Sequence, residues 1–184
     1  MATCDGFWAF EMERRGATVV ATDIGRFESY DFPPPVRAAL RERKIDRDTG
    51  AAFKCARIAL SSSVERVERS VYDLDPADVG TFDFVHAGDL LLHLQDPIRA
   101  LRAIRSVTDG TALIADCVDP SLPSGTTQYF GGWSAVTWWT PSVDTLAQMV
   151  LDAGFADLRV HAMYRLGTSD GPKGPWRISI LAKT

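Results

Sequence analysis

Residues 82–116, FDFVHAGDLLLHLQDPIRALRAIRSVTDGTALIAD, contain a complete strand–helix–strand unit. Phe82 to Gly88 is a short apolar run that reads as a strand. Asp96-Pro97 then opens a helix, because an Asp side chain accepts the exposed N–H groups of a first turn and Pro suits the first helical position. Ile98, Leu101 and Ile104 share one face of that helix, and Arg99, Arg102 and Arg105 form a solvated stripe on another. Asp109-Gly110 turns into Thr111–Asp116, apolar again and ending in a carboxylate. A strand, a helix and a second strand in this order predict a parallel pair with a helical crossover.

The same rhythm extends upstream. Residues 5–15 carry Phe7, Phe10 and Met12 near helical spacing, and Gly16 stops the run. Thr18 to Asp23 is nearly continuous apolar sequence, the pattern of a parallel strand buried on both faces. Residues 26–35 read as loop because of Pro33-Pro34-Pro35, residues 36–61 as two helices broken at Asp48-Thr49-Gly50, and Val67 to Leu74 as another strand. Downstream, residues 119–141 are Pro-, Gly- and Trp-rich and irregular. A helix from Ser142 stops at Gly154, and strands 157–165 and 176–183 follow across a Gly/Pro loop from Gly167 to Pro175, in a hairpin-type ending. The whole is an α/β chain, residues 1–184 as a single domain: an open, mostly parallel sheet with helices on both faces and an antiparallel C-terminal strand.

Composition narrows the class. With 184 residues, 46% hydrophobic, 24% charged and a net charge of −4, disordered and fibrous classes are excluded and a chain-wide basic surface for nucleic acid is absent. No apolar run approaches the roughly 18 residues of a membrane span, and the first five residues lack the features of a signal peptide. Cys4, Cys55 and Cys117 lie far apart with no CxxC spacing, so thiols in a reducing, cytoplasmic compartment are expected. Residues 36–69 hold nine basic and five acidic side chains, most simply a solvated helical face.

In such a sheet ligands bind beyond the carboxyl ends of the strands. Asp23, Asp73, Gly88-Asp89 and Asp116 all stand there. Carboxylates in that register suit a ligand with hydroxyls and amines, such as a ribose, rather than a bare phosphate. No GxGxxG, P-loop, HExxH or GxSxG motif occurs, and no Tyr is followed four residues later by Lys. His86, His93 and His161 do not cluster with cysteines at zinc spacing, so no metal site is expected.

Further blocks stand in a familiar order: Thr3-Cys4-Asp5-Gly6-Phe7-Trp8; a strand ending in Asp23-Ile24; Val71-Tyr72-Asp73-Leu74; Phe82 through Gly88-Asp89 to Pro97; and Trp138 to Phe155. On these the sequence resembles the class I S-adenosylmethionine-dependent methyltransferases, in particular the branch near the tRNA wobble-uridine carboxymethyl/methyl transferases. The resemblance implies a Rossmann-like three-layer sandwich and S-adenosylmethionine as cofactor. It implies that Asp5, Gly6 and Phe7 form the tail of the first motif, with helix N–H groups receiving the cofactor carboxylate. It further implies that Asp23 and Ile24 hold the ribose, that Asp73 and Leu74 meet the adenine, and that Gly88 and Asp89 complete the set. His93, just past the strand, is the expected general base.

The family's sheet order is 3-2-1-4-5-7-6, and its central first strand, which ends in Asp/Glu-x-Gly, has no counterpart here. The chain therefore reads as an N-terminally truncated methyltransferase, acting on a small molecule or a tRNA base, without a membrane partner and with a homodimer as one possible assembly. The alternative is a non-catalytic Rossmann-like interaction module that has lost the cofactor. Residues 129–139 (YFGGWSAVTWW) read as a mobile lid or substrate wall, with Trp138 or Trp139 as the alternative core plugs.

Overall fold

Two stacked phenylalanines hold the N-terminal part of the chain together. The computed structural model describes residues 1–131, 134, 136–168 and 171–184, which divide into two units, Met1–Asp73 and Leu74–Thr184. In the first, the Phe10 and Phe53 rings stack with centroids 5.0 Å apart, surrounded by the buried Ala9, Ala21 and Val64. Phe10 sits on α1 (Phe7–Arg14), and β1 (Val20–Asp23) follows. Helices α2 (Pro34–Glu42) and α3 (Ala51–Ala59) come next, with Phe53 on α3, and β2 (Glu65–Glu68) runs parallel to β1 from Val20↔Glu65 to Asp23↔Glu68.

Several boundaries differ from the sequence reading. Strand β1 starts at Val20, and a later strand starts at Thr108 and so runs through Asp109-Gly110, which the sequence reads as a turn. Two more differ for a local reason. Helix α2 starts at Pro34, inside the stretch read as loop, because a proline has no N–H to lose in a first turn. Strand β2 ends at Glu68, since β1 offers a ladder only four residues long. Beyond it Ser70 captures the next amides: Tyr72 N–H donates to its Oγ at 3.3 Å and Asp73 N–H to its carbonyl at 3.0 Å. The Val71–Asp73 segment is therefore a 3₁₀ turn.

The second unit opens with the short helix α4 (Pro76–Val79), capped by Asp75, which accepts the Ala77 N–H at 2.8 Å. Strand β3 (Phe82–Gly88), helix α5 (Pro97–Ser106) and strand β4 (Thr108–Val118) form the parallel crossover unit expected from residues 82–116. Asp96 caps α5 as its position implies, accepting the Arg99 N–H at 2.9 Å. Ala100, Leu101 and Ile104 of α5 are fully buried. Strands β5 (Thr127–Tyr129) and β6 (Trp139–Pro141) pair antiparallel inside the stretch read as irregular. Helix α6 (Val143–Asp152) is capped by Ser142, and β7 (Asp157–Thr168) and β8 (Gly171–Lys183) close the sheet in the order β3-β4-β8-β7. The final pair is the expected antiparallel hairpin, with its strands extending further toward the turn than the sequence indicates. Among the described residues β1 pairs only with β2 and β3 only with β4, so each is an edge of its own sheet.

One side-chain expectation is corrected and one alternative is decided. Arg105 is not part of a solvated stripe: Nε donates to the Gly154 carbonyl at 3.1 Å, and the guanidinium lies over the Phe155 ring. For Trp138 the core-plug alternative holds over the lid, since it is buried, and Trp139 is half-buried in β6. Trp133 lies outside the described residues. Among the described residues no helix is long and apolar enough to cross a membrane.

Gly6 and Gly16 allow a paired test. Both have φ 93°, the left-handed region that disfavours a side chain. A Cβ at Gly6 would lie 2.3 Å from Phe10 Cε2 and 2.7 Å from Phe53 Cδ2, whereas at Gly16 it would meet nothing within 4 Å. Gly16→Ala is expected to cost about 1 kcal/mol, the strain alone. Gly6→Ala should cost about 2–4 kcal/mol, because it also displaces the ring stack. Urea unfolding of both variants measures the difference; equal costs would show that the rings yield freely.

Candidate functional site

Each unit places an aspartate at the end of a buried strand and folds a loop over it. In the first unit that residue is Asp23, the last of β1 and only 7% exposed. Its Oδ2 accepts the Cys4 N–H at 2.8 Å and its Oδ1 the N–H of its own neighbour Ile24 at 2.8 Å. Thr3 Oγ1 donates to the adjacent Thr22 carbonyl at 3.0 Å, and Gly6 N–H closes the loop onto the Thr3 carbonyl at 2.8 Å. Asp5, Gly6 and Phe7 are thereby held beside Asp23 and Ile24. Asp5 is exposed and accepts the Phe7 N–H at 3.1 Å, so it caps the first amide of α1. Gly6 is buried, and Phe7 projects with 62% exposure.

Ile24 is anchored through its carbonyl, which accepts from Arg66 Nη2 at 3.0 Å and from Thr49 Oγ1. Tyr30 was not singled out in the sequence. Burial, reinforced by the negative charge of Asp23, pushes its phenol up to about 12, so it stays a neutral donor. Its ring stacks on Phe32, with centroids 5.5 Å apart. Asp73 ends the 3₁₀ turn and is exposed. Leu74, the first residue of the second unit, is buried.

In the second unit the strand-end residue is Asp116, 2% exposed. Its Oδ2 accepts the Leu90 and Leu91 N–H groups at 2.9 and 2.6 Å, and its Oδ1 those of Leu92 and Cys117 at 3.3 and 2.8 Å. Four backbone donors fill both oxygens. Burial nonetheless pushes the carboxyl up to about 6, against the opposing pull of those N–H groups. Gly88 ends β3, and Asp89 follows in a left-handed conformation (φ 46°) with its N–H on the Ala115 carbonyl at 2.8 Å. The Asp89 carboxylate pairs with Arg177 Nε on β8 at 2.8 and 3.0 Å.

Asp89, Asp116 and Cys117 bring one potential metal-ligand atom each within 4.8 Å. The Asp116 oxygens are filled by backbone, Asp89 is paired with Arg177, and burial pushes the Cys117 thiol up to about 12. These three groups therefore close a loop rather than offer a ligand set.

The loop that Asp116 closes presents His93, in the 3₁₀ turn Leu91–His93. His93 Nδ1 lies 2.6 Å from the Val136 carbonyl oxygen. A carbonyl can only accept, so Nδ1 is the donor, and in the neutral imidazole the lone pair is on Nε2. Two more bonds from the same segment hold the turn: Trp138 N–H to the Leu92 carbonyl at 2.7 Å and Trp139 Nε1 to the Leu94 carbonyl at 3.1 Å. The aromatic stretch thus clasps the His93 turn. Arg66, Arg177 and the Val136 carbonyl carried no sequence signal, because their partners stand 42, 88 and 43 residues away.

No protein-family model matches this sequence, and no curated protein does. Solved structures share its fold. A Nostoc punctiforme protein assigned as an O-methyltransferase aligns with 99% of this chain and 49% of its own, at TM-score 0.61 and 15% identity. An S-adenosylmethionine-dependent methyltransferase from Mesorhizobium loti aligns over 100% and 88%, at 0.62 and 12%. Magnesium protoporphyrin IX methyltransferase from Synechocystis, solved with bound S-adenosylmethionine, aligns over 100% and 67%, at 0.61 and 14%. The chain spans about half the length of the Nostoc protein. The fold is therefore the Rossmann-like α/β fold of these structures, with parallel crossovers and an antiparallel C-terminal end.

Asp116 makes a signed pH prediction. Its carboxyl sits at about 6 in the fold, against roughly 3.9 unfolded. The folded chain binds the extra proton between those values. The stability this adds is complete below about pH 4 and lost as pH rises through about 6. Asp116→Asn removes that titration and, by leaving backbone donors unmet, costs about 1–3 kcal/mol. The margin of the wild type over Asp116→Asn should therefore narrow by about 2–3 kcal/mol between pH 4 and pH 7 in urea unfolding. A margin that widens over that range would contradict the assignment.

Proposed function

We propose that this chain is an S-adenosylmethionine-dependent methyltransferase with a small-molecule acceptor. The observation that supports it is the contrast between the two strand-end carboxylates. Asp116 has no acceptor position left. Among the hydrogen bonds of the described residues, Asp23 accepts one backbone N–H on each oxygen, which leaves a second lone pair on each, and the buried N-terminal ammonium is a positive charge that interacts with it. Two such lone pairs on one buried carboxylate match the two hydroxyls of a ribose. The bound cofactor supplies an electrophilic methyl group on a sulfonium.

In this reading Asp23 receives the ribose diol, and Gly6, having no Cβ, lets the loop over it stay close-packed. Phe7 offers exposed ring surface beside the same loop. Asp5 keeps α1 capped. Ile24 lies at the rim of the diol site, held by Arg66. Asp73 and Leu74 take the adenine, and Gly88 and Asp89 contribute the turn after β3. His93 is the general base: Nδ1 is committed to the Val136 carbonyl, so Nε2 takes the proton that an O–H or N–H acceptor releases. The acidic balance of the chain supports a small molecule over a tRNA base. Cys4, Cys55 and Cys117 are all free thiols, in keeping with a reducing compartment.

Calorimetric titration with S-adenosylhomocysteine tests the cofactor site. Wild-type chain should bind it saturably, and Asp23→Asn, which keeps the shape but only one acceptor oxygen, should bind at least about tenfold more weakly. Binding that is absent in the wild type, or unchanged in the variant, rejects the assignment. For the base, His93→Gln should retain S-adenosylhomocysteine affinity and lower turnover by about 10²–10⁴-fold with the acceptor that a turnover screen returns. Full turnover in the variant would remove His93 from the chemistry.

A further inference from the structure

The second unit contains a cavity of about 200 Å³ that none of the steps above uses. Its wall includes Leu91 and Leu92 of the clasped turn, Asp116 and Cys117 at the end of β4, Trp139 of β6 and Met149 of α6. Thr127 of β5 also lines it and is exposed, so the cavity reaches the surface there.

The wall is apolar in effect, even where it is polar in name. Asp116 stands in it, but four backbone N–H groups fill its oxygens and leave nothing for a guest to donate to. The single polar atom of Trp139 is bound to the Leu94 carbonyl at 3.1 Å, so the indole offers the cavity carbon. The Cys117 sulfur lies 3.8 Å from Asp89 Oδ1, toward which it donates. No lysine, arginine or histidine lines the space among the described residues. An anion would therefore meet the Asp116 charge with no cation to offset it, and an extended polar molecule would lose its hydration without replacement.

The walls are held apart by the backbone. Trp138 N–H donates to the Leu92 carbonyl at 2.7 Å, Asp119 N–H to the Pro141 carbonyl at 2.9 Å, and Ser142 N–H to the Thr126 carbonyl at 3.0 Å. These bonds tie β6 to the turn, to the end of β4 and to β5, so collapse would break several of them at once. Water in an apolar space of this kind finds few partners, and displacing it with an apolar group is favourable. Its volume decides the guest. An apolar cavity of roughly 150 Å³ takes one benzene ring, while drug-sized ligands need about 300 Å³ or more.

We infer that this cavity binds a neutral molecule of one six-membered ring, with a single small polar group directed to Thr127 at the mouth. As the seat of the acceptor's ring the site rests on the methyltransferase reading; as a binding site it stands on the cavity alone.

Fluorine NMR titration of the full chain with 4-fluorophenol tests it, with 4-fluorobenzoate as the anionic control. Met149→Trp fills the cavity from α6. Thr127→Phe closes its mouth from an exposed position where folding is least threatened. The expected result is saturable broadening of the 4-fluorophenol signal, weakened at least about tenfold in both variants, and no saturable response from 4-fluorobenzoate. An absent response in the wild type, binding as tight as wild type in either variant, or equal binding of the benzoate overturns the site. S-adenosylhomocysteine affinity, measured on the same samples, separates the two readings. If it persists while 4-fluorophenol fails, the ring site alone is lost. If 4-fluorophenol binds and S-adenosylhomocysteine does not, the ring site stands and its acceptor role is overturned.

Discussion

The four backbone N–H groups gathered by the Asp116 carboxylate are the constraint on which the second unit's site depends. Asp116 is the ninth residue of β4, and three of its donors belong to the loop after β3. A single buried side chain therefore joins the ends of two parallel strands and sets where Leu91, Leu92 and His93 lie. A neutral side chain of similar size could not accept all four bonds. Burial raises the carboxyl to about 6, so the charge is held at a cost to the fold, which the donors offset only in part.

Asp23 repeats the device with a different outcome. It too accepts the N–H of the residue that follows it, at the same 2.8 Å, and it too reaches a loop from elsewhere in the chain. The loop gives it one donor instead of three. That difference makes one carboxylate a closed structural tie and leaves the other able to accept more. Strand-end aspartates that look alike in a sequence are thus sorted by how many amides the neighbouring loop turns toward them.

The clasp over His93 is the other point where structure and chemistry meet. Three hydrogen bonds from Val136, Trp138 and Trp139 reach the Leu92–Leu94 turn. In the first His93 Nδ1 donates to the Val136 carbonyl, and in the other two Trp138 and Trp139 donate to the turn's carbonyls and hold it. Trp138 and Trp139 do this work because the first buries its aromatic bulk and the second has an indole donor that finds a carbonyl. The Trp138 bond to Leu92 also holds a wall of the apolar cavity, so it serves two features of the unit at once.

The elements of this fold were legible in the sequence wherever their causes are local. Asp96 caps α5 and Ser142 caps α6 through side chains within four residues of the backbone they serve, and the apolar runs Phe82–Gly88 and Thr111–Asp116 mark β3 and the body of β4. The order of these elements, in turn, is enough to specify a parallel crossover α/β fold with a hairpin ending. Reading failed where a distant partner decides. Strand β2 is as short as β1 lets it be, Arg105 turns to a carbonyl 49 residues away, and packing decides that Trp138 plugs the core, one of the two roles its sequence left open. The sequence placed Asp23, Asp89 and Asp116 at strand ends by itself. Only the tertiary structure decided which of them is full, which is ion-paired and which retains acceptor positions, because that depends on loops and strands brought together from 19 to 88 residues away.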